Sequence, residues 1–321
     1  MTFYDGLYPF YPTARTPAGF NTIEIVVIII FLVFLVSFLI ILIGIRGAER
    51  FHWLARITLS LFIGVVIVAV NFSNNWERAS ATVNTTYKSF SSVNVNAEVG
   101  IHVGFSGVNV TLKGVPEIQQ NETINYNEEF LWTSGNSFAD AYRDGLERGL
   151  PDPILYIAEK FTPNSPCGVF SQYKVSSHYA SATMWVALAA WMLANILLWL
   201  KVPLSGAYMI LVTGAFMIFS LISFGTTRKT ELCAIQFNDV TLRSSLGPSF
   251  WLTLATALLS LIIGITIMAL SVWAPQILSK VLVLTDNTND EDTDIEDYYN
   301  VHYRENEKPT DVPMNTLGNV V

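Results

Sequence analysis

The residue types that most often bind cofactors are few in this chain, and their spacing matches no known type of cofactor site. The four histidines are His52, His102, His178 and His302. Proteins that pass electrons across a membrane hold haem between paired histidines inside a helical bundle, and none of these four falls within a predicted span. The sequence has no Gly-rich dinucleotide turn, phosphate loop or metal-binding spacing of Cys and His. We therefore expect no cofactor and no metal.

Neighbouring carboxylates are the other residues that could do catalysis. Glu128 and Glu129 are adjacent, and Asp140, Asp144 and Glu147 share a predicted helix. Paired acids can act as general acid and base, but on a sheet edge or a helix they mostly form a solvated surface. We assign no catalytic residue and expect a protein that is not an enzyme.

Four N-x-Ser/Thr sequences point to a compartment outside the cytosol, where asparagine can be glycosylated. All four lie in or at the edge of a polar stretch, residues 71–179, which also contains many turn residues. Asn71 is expected to lie too close to the membrane to be modified. The predicted glycan acceptors are Asn84, Asn109 and Asn121.

The two cysteines, Cys167 and Cys233, lie in segments that the predicted topology places on the same oxidising side. They are therefore able to pair with each other, and a bridge would tie the second outer loop to the polar stretch. The alternative is that each cysteine pairs with another chain.

The composition is that of a membrane protein. Of the 321 residues, 51% are hydrophobic and 14% are charged, and the mean hydropathy is +0.42. The net charge of −8 arises largely in the polar stretch and in an acidic tail around Asp290 to Asp297, which we interpret as solvated surface. No basic stripe interleaved with aromatic residues is present, so nucleic acid is not a predicted partner.

Five apolar segments are each long enough to cross a hydrocarbon layer of about 30 Å. We interpret the first as an uncleaved anchor, because its apolar run is long and no basic start precedes it. The predicted order is an outer N-terminal segment 1–21, span 22–45, cytosolic loop 46–52, span 53–70, outer domain 71–179, span 180–200, cytosolic turn 201–203, span 204–224, outer loop 225–249, span 250–274 and cytosolic tail 275–321.

The orientation follows from the charges and the glycan acceptors. Arg46, Arg50 and Arg56 crowd the first loop, which the positive-inside rule places in the cytosol. Arg228, Lys229 and Arg243 oppose this topology, because they lie in a loop that it places outside. The acceptors decide the question, since they can be modified only on the outer side.

Within the outer domain, period-two alternation predicts a hairpin of strands Val93 to Val103 and Val108 to Leu112, with a third strand over Thr123 to Trp132. Asn109 falls on the face opposite Val108 and Val110. A helical pattern follows, with Phe138, Ala141, Tyr142 and Leu146 on one face and Asn136 as the cap. Asp152 and Pro153 predict the cap and first turn of another helix, Ile154 to Phe161. We expect a small sheet with helices packed on it.

The spans lack the ionisable mid-membrane residues of a transporter, since only Glu24 and Arg56 occur, near the boundaries. Small residues recur as Gly206 with Gly214 and Ser260 with Gly264, a pattern typical of close helix packing.

Several long strings resemble the dual oxidase maturation factors, and the resemblance runs from about Pro9 to Ala274. The strings are Gly44-Ile-Arg-Gly47, Ser60-Leu-Phe-Ile-Gly64, Ala69-Val-Asn-Phe-Ser73, Asn121-Glu-Thr-Ile-Asn-Tyr-Asn-Glu-Glu-Phe130, Gly149-Leu-Pro-Asp-Pro153, Ala158-Glu-Lys-Phe-Thr-Pro163 and Ser165-Pro-Cys-Gly168.

The resemblance implies an integral membrane protein with five transmembrane helices and a claudin-like extracellular α+β domain between helices 2 and 3. It also implies a non-catalytic partner that binds a dual oxidase in the endoplasmic reticulum, allows its exit and accompanies it to the plasma membrane in the complex that produces hydrogen peroxide. The family's intrachain disulfide would be Cys167 to Cys233, and its glycan sites would be Asn84, Asn109 and Asn121. Three acceptors favour type 1 of the two paralogues.

Two other interpretations compete with this one. An adhesion or junction protein of tetraspan type would act without any oxidase, but true claudins have four spans and two cysteines in the first loop, so only the fold of the outer domain is claudin-like. A channel or transporter would need a polar pore lining. The aromatic segment Phe3 to Tyr11 is either a contact with the oxidase or an interfacial belt at the first span.

Overall fold

The computed structural model describes residues 22–42, 49–88, 93–119, 122–132, 138–200, 202–226, 235–238 and 240–274. The helices are α1 (Thr22–Leu42), α2 (Glu49–Phe72), α3 (Phe138–Arg148), α4 (Asp152–Lys160), α5 (Val169–Trp199), α6 (Pro203–Gly225) and α7 (Pro248–Trp273). The strands are β1 (Glu77–Thr86), β2 (Asn94–Val103), β3 (Gly107–Gln119), β4 (Glu122–Leu131), β5 (Ile235–Phe237), β6 (Val240–Leu242) and β7 (Ser245–Leu246).

Among the described residues, five helices, α1, α2, α5, α6 and α7, are long and apolar enough to cross a membrane, in agreement with the predicted five spans. The 31-residue helix α5 begins at Val169, well before the predicted span at 180–200. Its first turns carry polar residues such as Gln172 and Lys174, so hydropathy alone did not reveal them. The same helix therefore contributes to the bundle and, through Phe170 and Tyr173, to the sheet domain, which we define as β1–β4, α3 and α4.

Small residues let the long helices approach closely, as predicted. A Cβ atom added at Gly206 would lie 2.6 Å from the Leu198 side chain, and one at Gly264 would lie 2.8 Å from Leu211. At such distances a Cβ atom would force the facing leucine side chain to shift, so glycine favours these close α5–α6 and α6–α7 contacts. Helix α1 is less closely packed than α5, α6 and α7. It packs on α2 and leaves most of its apolar side chains exposed.

The main sheet is antiparallel, with strand order β4-β3-β2-β1-β7, and β5 and β6 form a separate hairpin. The predicted hairpin is confirmed as β2 and β3, in which Val99 pairs with Leu112 and Ile101 pairs with Val110. These four side chains face inward with Ile154 and Ile157 of α4 in one apolar core. The opposite face of the sheet is polar, because successive side chains of a strand point to opposite faces.

Two local predictions differ from the structure in detail. Of the residues predicted to share one face of α3, Phe138 is buried and Ala141 and Tyr142 pack against the core, but Leu146 is 50% exposed, and Gly145 is buried. Asp152 was predicted to cap α4, but it is the first helical residue, and the residue before it, Pro151, makes no side-chain cap. The predicted cap of α3, Asn136, lies outside the described residues.

Candidate functional site

The predicted glycan acceptors that the structure describes share the polar face of the sheet. Asn84 is exposed on β1, and Asn109 is half-buried on β3, opposite to the buried Val108 and Val110 as expected. Asn121 lies outside the described residues. Asn71 is buried in α2, where its Oδ1 accepts a hydrogen bond of 2.9 Å from Ser181 Oγ. That contact is in keeping with the expectation that Asn71 is not modified.

The two cysteines differ in what the structure describes. Cys167 is buried, with 6% of its surface exposed, and is disulfide-bonded. It lies one residue before Gly168, whose φ of 62° is in the left-handed region that glycine favours, and this turn leads directly into α5. Cys233 lies outside the described residues.

The adjacent carboxylates are engaged in structural contacts. Arg148 forms an ion pair of 3.3 Å with Glu128 and one of 2.8 Å with Asp144, which connects α3 to β4. Glu129 accepts a 2.9 Å hydrogen bond from Asn74 Nδ2. These partners give the acids a role in joining α3 to β4, and β4 to the connection between α2 and β1.

A polar depression on the outer face of the sheet is a feature that the sequence did not reveal. We call it the outer groove, and its charged and titratable lining residues are Arg78, Glu98, His102, Lys113 and Arg243. Its volume is about 590 Å³. The residues come from β1, β2, β3 and the connection between β6 and β7, so only the strand pairing brings them together.

His102 is half-buried in this groove, and its Nδ1 lies 3.1 Å from Asn75 Oδ1. Burial lowers the pKa of His102, and the positive charge of Arg78 lowers that pKa further. The imidazole is therefore neutral near pH 7, and the positive charge of the groove comes from Arg78, Lys113 and Arg243.

Stability should consequently fall below about pH 6.5, the usual pKa of histidine. In that range the unfolded chain binds a proton at His102 before the folded chain does, so acid favours unfolding, whereas above pH 6.5 both states are neutral and no penalty exists. We expect His102→Gln to reduce the loss of thermal midpoint between about pH 7.5 and about pH 5. His178→Gln, at an exposed histidine of α5, is the control, and an unaltered loss in His102→Gln would contradict the assignment.

Within the long helices, polar groups join α2 to α5. Trp191 Nε1 donates a 3.0 Å hydrogen bond to the Ser60 carbonyl, and Ser60 Oγ donates to Asn195 Oδ1 at 2.5 Å. Beside this contact, a lateral pocket of about 730 Å³ opens between α1, α2 and α5, with Phe34 and Trp199 among its walls. The bundle thus offers an apolar lateral surface.

These features define a class of protein: a multi-pass membrane protein that combines five apolar helices with a small antiparallel sheet domain. The family model "Dual oxidase maturation factor" matches residues 10–286, and the chain belongs to this family.

Curated relatives of both types match over most of their length. The Xenopus laevis dual oxidase maturation factor 1 is 50% identical over 275 residues, which cover 86% of this chain and 89% of that protein. The mouse dual oxidase maturation factor 2 is 47% identical over 285 residues, 89% of each chain, and the human factor 2 is 46% identical over 282 residues, 88% of each. Similarity of this size to both types does not separate the paralogues.

Proposed function

We propose that the chain is a partner subunit of a dual oxidase and is required for the exit of that oxidase from the endoplasmic reticulum, its transport to the plasma membrane and its production of hydrogen peroxide. The observation that carries the proposal is the family match over residues 10–286. A maturation factor acts by binding and stabilising another protein, so we assign to this chain no catalytic step.

The proposed arrangement places the sheet domain, with a claudin-like fold, on the lumenal and later extracellular side, and the acidic tail in the cytosol. Glycans would then be attached at Asn84, Asn109 and Asn121, and the N-terminus would lie outside. The exposed Asn84 supports this arrangement. Glycosidase treatment should increase the electrophoretic mobility of the chain, and an unchanged mobility would contradict the orientation.

The bundle supplies a surface for a membrane partner. Helix α1 carries apolar side chains from Ile23 to Ile41, and most of them are exposed in the structure. In a bilayer such a surface can face lipid or another helix, and association there depends on close packing. We propose that α1 and the lateral pocket beside it face the membrane helices of the oxidase, while the sheet domain and the aromatic segment Phe3 to Tyr11 face its outer part.

The experiment is co-expression of the full chain with a dual oxidase in cells that lack both. We expect surface oxidase and extracellular hydrogen peroxide to rise only when both proteins are present. Expression of the chain alone tests the adhesion alternative, which predicts altered cell contacts without an oxidase. No gain in surface oxidase and no gain in peroxide would overturn the proposed function.

A further inference from the structure

We propose that the outer groove is a docking site for a flexible acidic segment of the oxidase, on the side of the membrane where the sheet domain lies. The inference rests on the proposed function, because it takes the oxidase as the partner. It adds the surface used, the sign of the charge that is recognised and the kind of segment that fits.

The charge of the groove is the first argument. Arg78, Lys113 and Arg243 line it, and Glu98 is the one carboxylate among the described residues of its lining. Among the residues that the structure describes, the ion pairs involve Lys88, Arg143 and Arg148, and none involves the three cations of the groove. A cluster of cations is unexpected in a chain whose net charge is −8, so the excess is local and attracts negative charge.

The shape of the groove follows from the strand register. Gly100 on β2 pairs with Thr111 on β3 and with Ser80 on β1, and a Cβ atom at Gly100 would collide with the Thr111 hydroxyl. One row further along the sheet, Glu98 pairs with Lys113. A floor without long side chains is thus bordered by long cationic ones, which creates a depression rather than a flat surface.

Arg243 completes the groove from a distant part of the chain. Strand β7 pairs with β1 so that Ser245 lies opposite Arg78, and Ser245 Oγ donates a 3.2 Å hydrogen bond to the Arg78 carbonyl. This pairing holds Arg243 beside Arg78. The positive-inside rule disfavours Arg243 in an outer loop, and its place in the groove gives that cation a role.

The charges of the outer segments favour another chain as the source of the acidic ligand. Residues 1–21, which the proposed topology puts on the same side, contain one acid and one base, Asp5 and Arg15. Residues 227–234 contain Arg228, Lys229 and Glu231 and are net positive. The acidic tail around Asp290 lies on the cytosolic side in the proposed topology. Neither of these two outer segments therefore has the charge to fill the groove.

The predicted glycan acceptors beside the groove limit the shape of the ligand that can enter it. Asn109 pairs with His102, and Asn84 lies on the same face of β1 as Arg78. Glycans at these two positions would stand beside the groove and keep a broad folded surface away from it. An extended segment with several Asp or Glu residues would still reach the three cations.

The test compares full-length variants, reconstituted in nanodiscs, for their affinity for the purified oxidase. The double variant Lys113→Glu/Arg243→Glu is expected to bind roughly tenfold more weakly at about 0.15 M salt and to depend less on salt than the wild type. The matched control, Lys160→Glu/Lys174→Glu, makes the same change of net charge on α4 and α5, away from the groove. It should retain wild-type affinity.

The variant Glu98→Gln is a second test, and its expected result, a higher affinity, cannot be produced by a folding defect. Removing the Glu98 carboxylate from the groove should strengthen binding severalfold, whereas a misfolded protein could only bind more weakly. The docking role of the groove would be refuted if the wild type, the double variant and Glu98→Gln bound the oxidase with equal affinity. It would also be refuted if the control pair lost as much affinity as the double variant. Either result would leave the proposed function intact. A wild-type chain that does not bind the oxidase would overturn both.

A photo-cross-linking amino acid at Thr82, beside the groove on β1, identifies the occupant. We expect the cross-linked peptide to be an acidic segment from the outer part of the oxidase. Cross-links to a basic or apolar peptide, to a sulfated glycan or to no macromolecule would each contradict the proposal.

Discussion

Replacing Trp76 by alanine is expected to lower the free energy of unfolding by about 3–5 kcal/mol, which is the usual cost of removing a fully buried tryptophan. Trp76 has 0% of its surface exposed. Its ring centroid lies 4.2 Å from that of Phe105 and 5.3 Å from that of Phe224. Its Nε1 donates a 2.7 Å hydrogen bond to the Val70 carbonyl at the end of α2. Alanine would remove these contacts and leave a cavity where the sheet meets the helices.

The measurement is the thermal midpoint and the monodisperse yield of the full chain in detergent, together with surface oxidase in co-expression. Trp251→Ala is the control, because that tryptophan is 57% exposed on α7 and should cost little. Trp76→Phe keeps most of the apolar contacts and removes the hydrogen bond, so its cost should be about 1 kcal/mol. Equal thermal midpoints for Trp76→Ala and Trp251→Ala would show that the packing of Trp76 between the sheet and the long helices is not important for stability.

The backbone around Trp76 shows why this position matters. The Trp76 N–H donates to the Val103 carbonyl, and the Trp76 carbonyl accepts a 2.8 Å hydrogen bond from Gly247 N. A Cβ atom at Gly247 would collide with the Asn75 carbonyl, so glycine permits the start of α7 to approach β1. Sheet and bundle are thus joined by side-chain packing and by main-chain hydrogen bonds.

Much of the fold could be predicted because it is recorded in local patterns. The long helices follow from continuous apolar runs, and the β2–β3 hairpin follows from alternation such as Val99, Ile101 and Val103. Strand β1 was not predicted, because its inward positions include the small residues Ala79 and Ala81, which give a weak alternation. Its place in the sheet depends on ten paired positions with β2, and pairing between strands leaves little trace in either strand alone.

The outer groove could not be predicted for a related reason. Arg78, Lys113 and Arg243 are far apart in the chain, and each looks like an ordinary surface cation in its own segment. Only the order β3-β2-β1-β7 places them around one depression. The sequence did mark Arg243 as unusual, because a cation in the predicted outer loop conflicts with the charge rule. That conflict did not indicate which residues Arg243 would lie beside or what it would do.

The described residues of the connection between α6 and α7 contact the sheet domain through strand pairing, a hydrogen bond and a ring contact. Strand β7 makes two residue pairs with β1, Asn238 Nδ2 donates to the Asn84 carbonyl at 2.9 Å, and the Phe237 ring lies 5.2 Å from that of Tyr156. A disulfide to the same region would add a covalent link to these non-covalent contacts. We propose that the disulfide of Cys167 is made with Cys233, the other cysteine of the chain.

The second large effect is accordingly expected from Cys167→Ser and Cys233→Ser. Loss of a native disulfide typically costs about 2–5 kcal/mol, mainly because the unfolded chain gains freedom. Here the lower end, about 2 kcal/mol, is expected, since α5 and α6 would remain in the membrane when the outer parts unfold and would restrict that freedom. The fall in surface oxidase on co-expression should be severalfold, because a shift of this size changes the folded fraction available for export.

Pairing of the two cysteines with each other makes a sharper prediction than loss of stability alone. The single variants and the double variant should have the same thermal midpoint and the same non-reducing mobility, because either substitution breaks the one bond. Ser165→Ala, beside Cys167, is the matched control for a change in the turn. If each cysteine instead bridged to another chain, non-reducing gels of the wild type would show a larger species, and the double variant would be worse than either single one. That result would refute the intrachain bond.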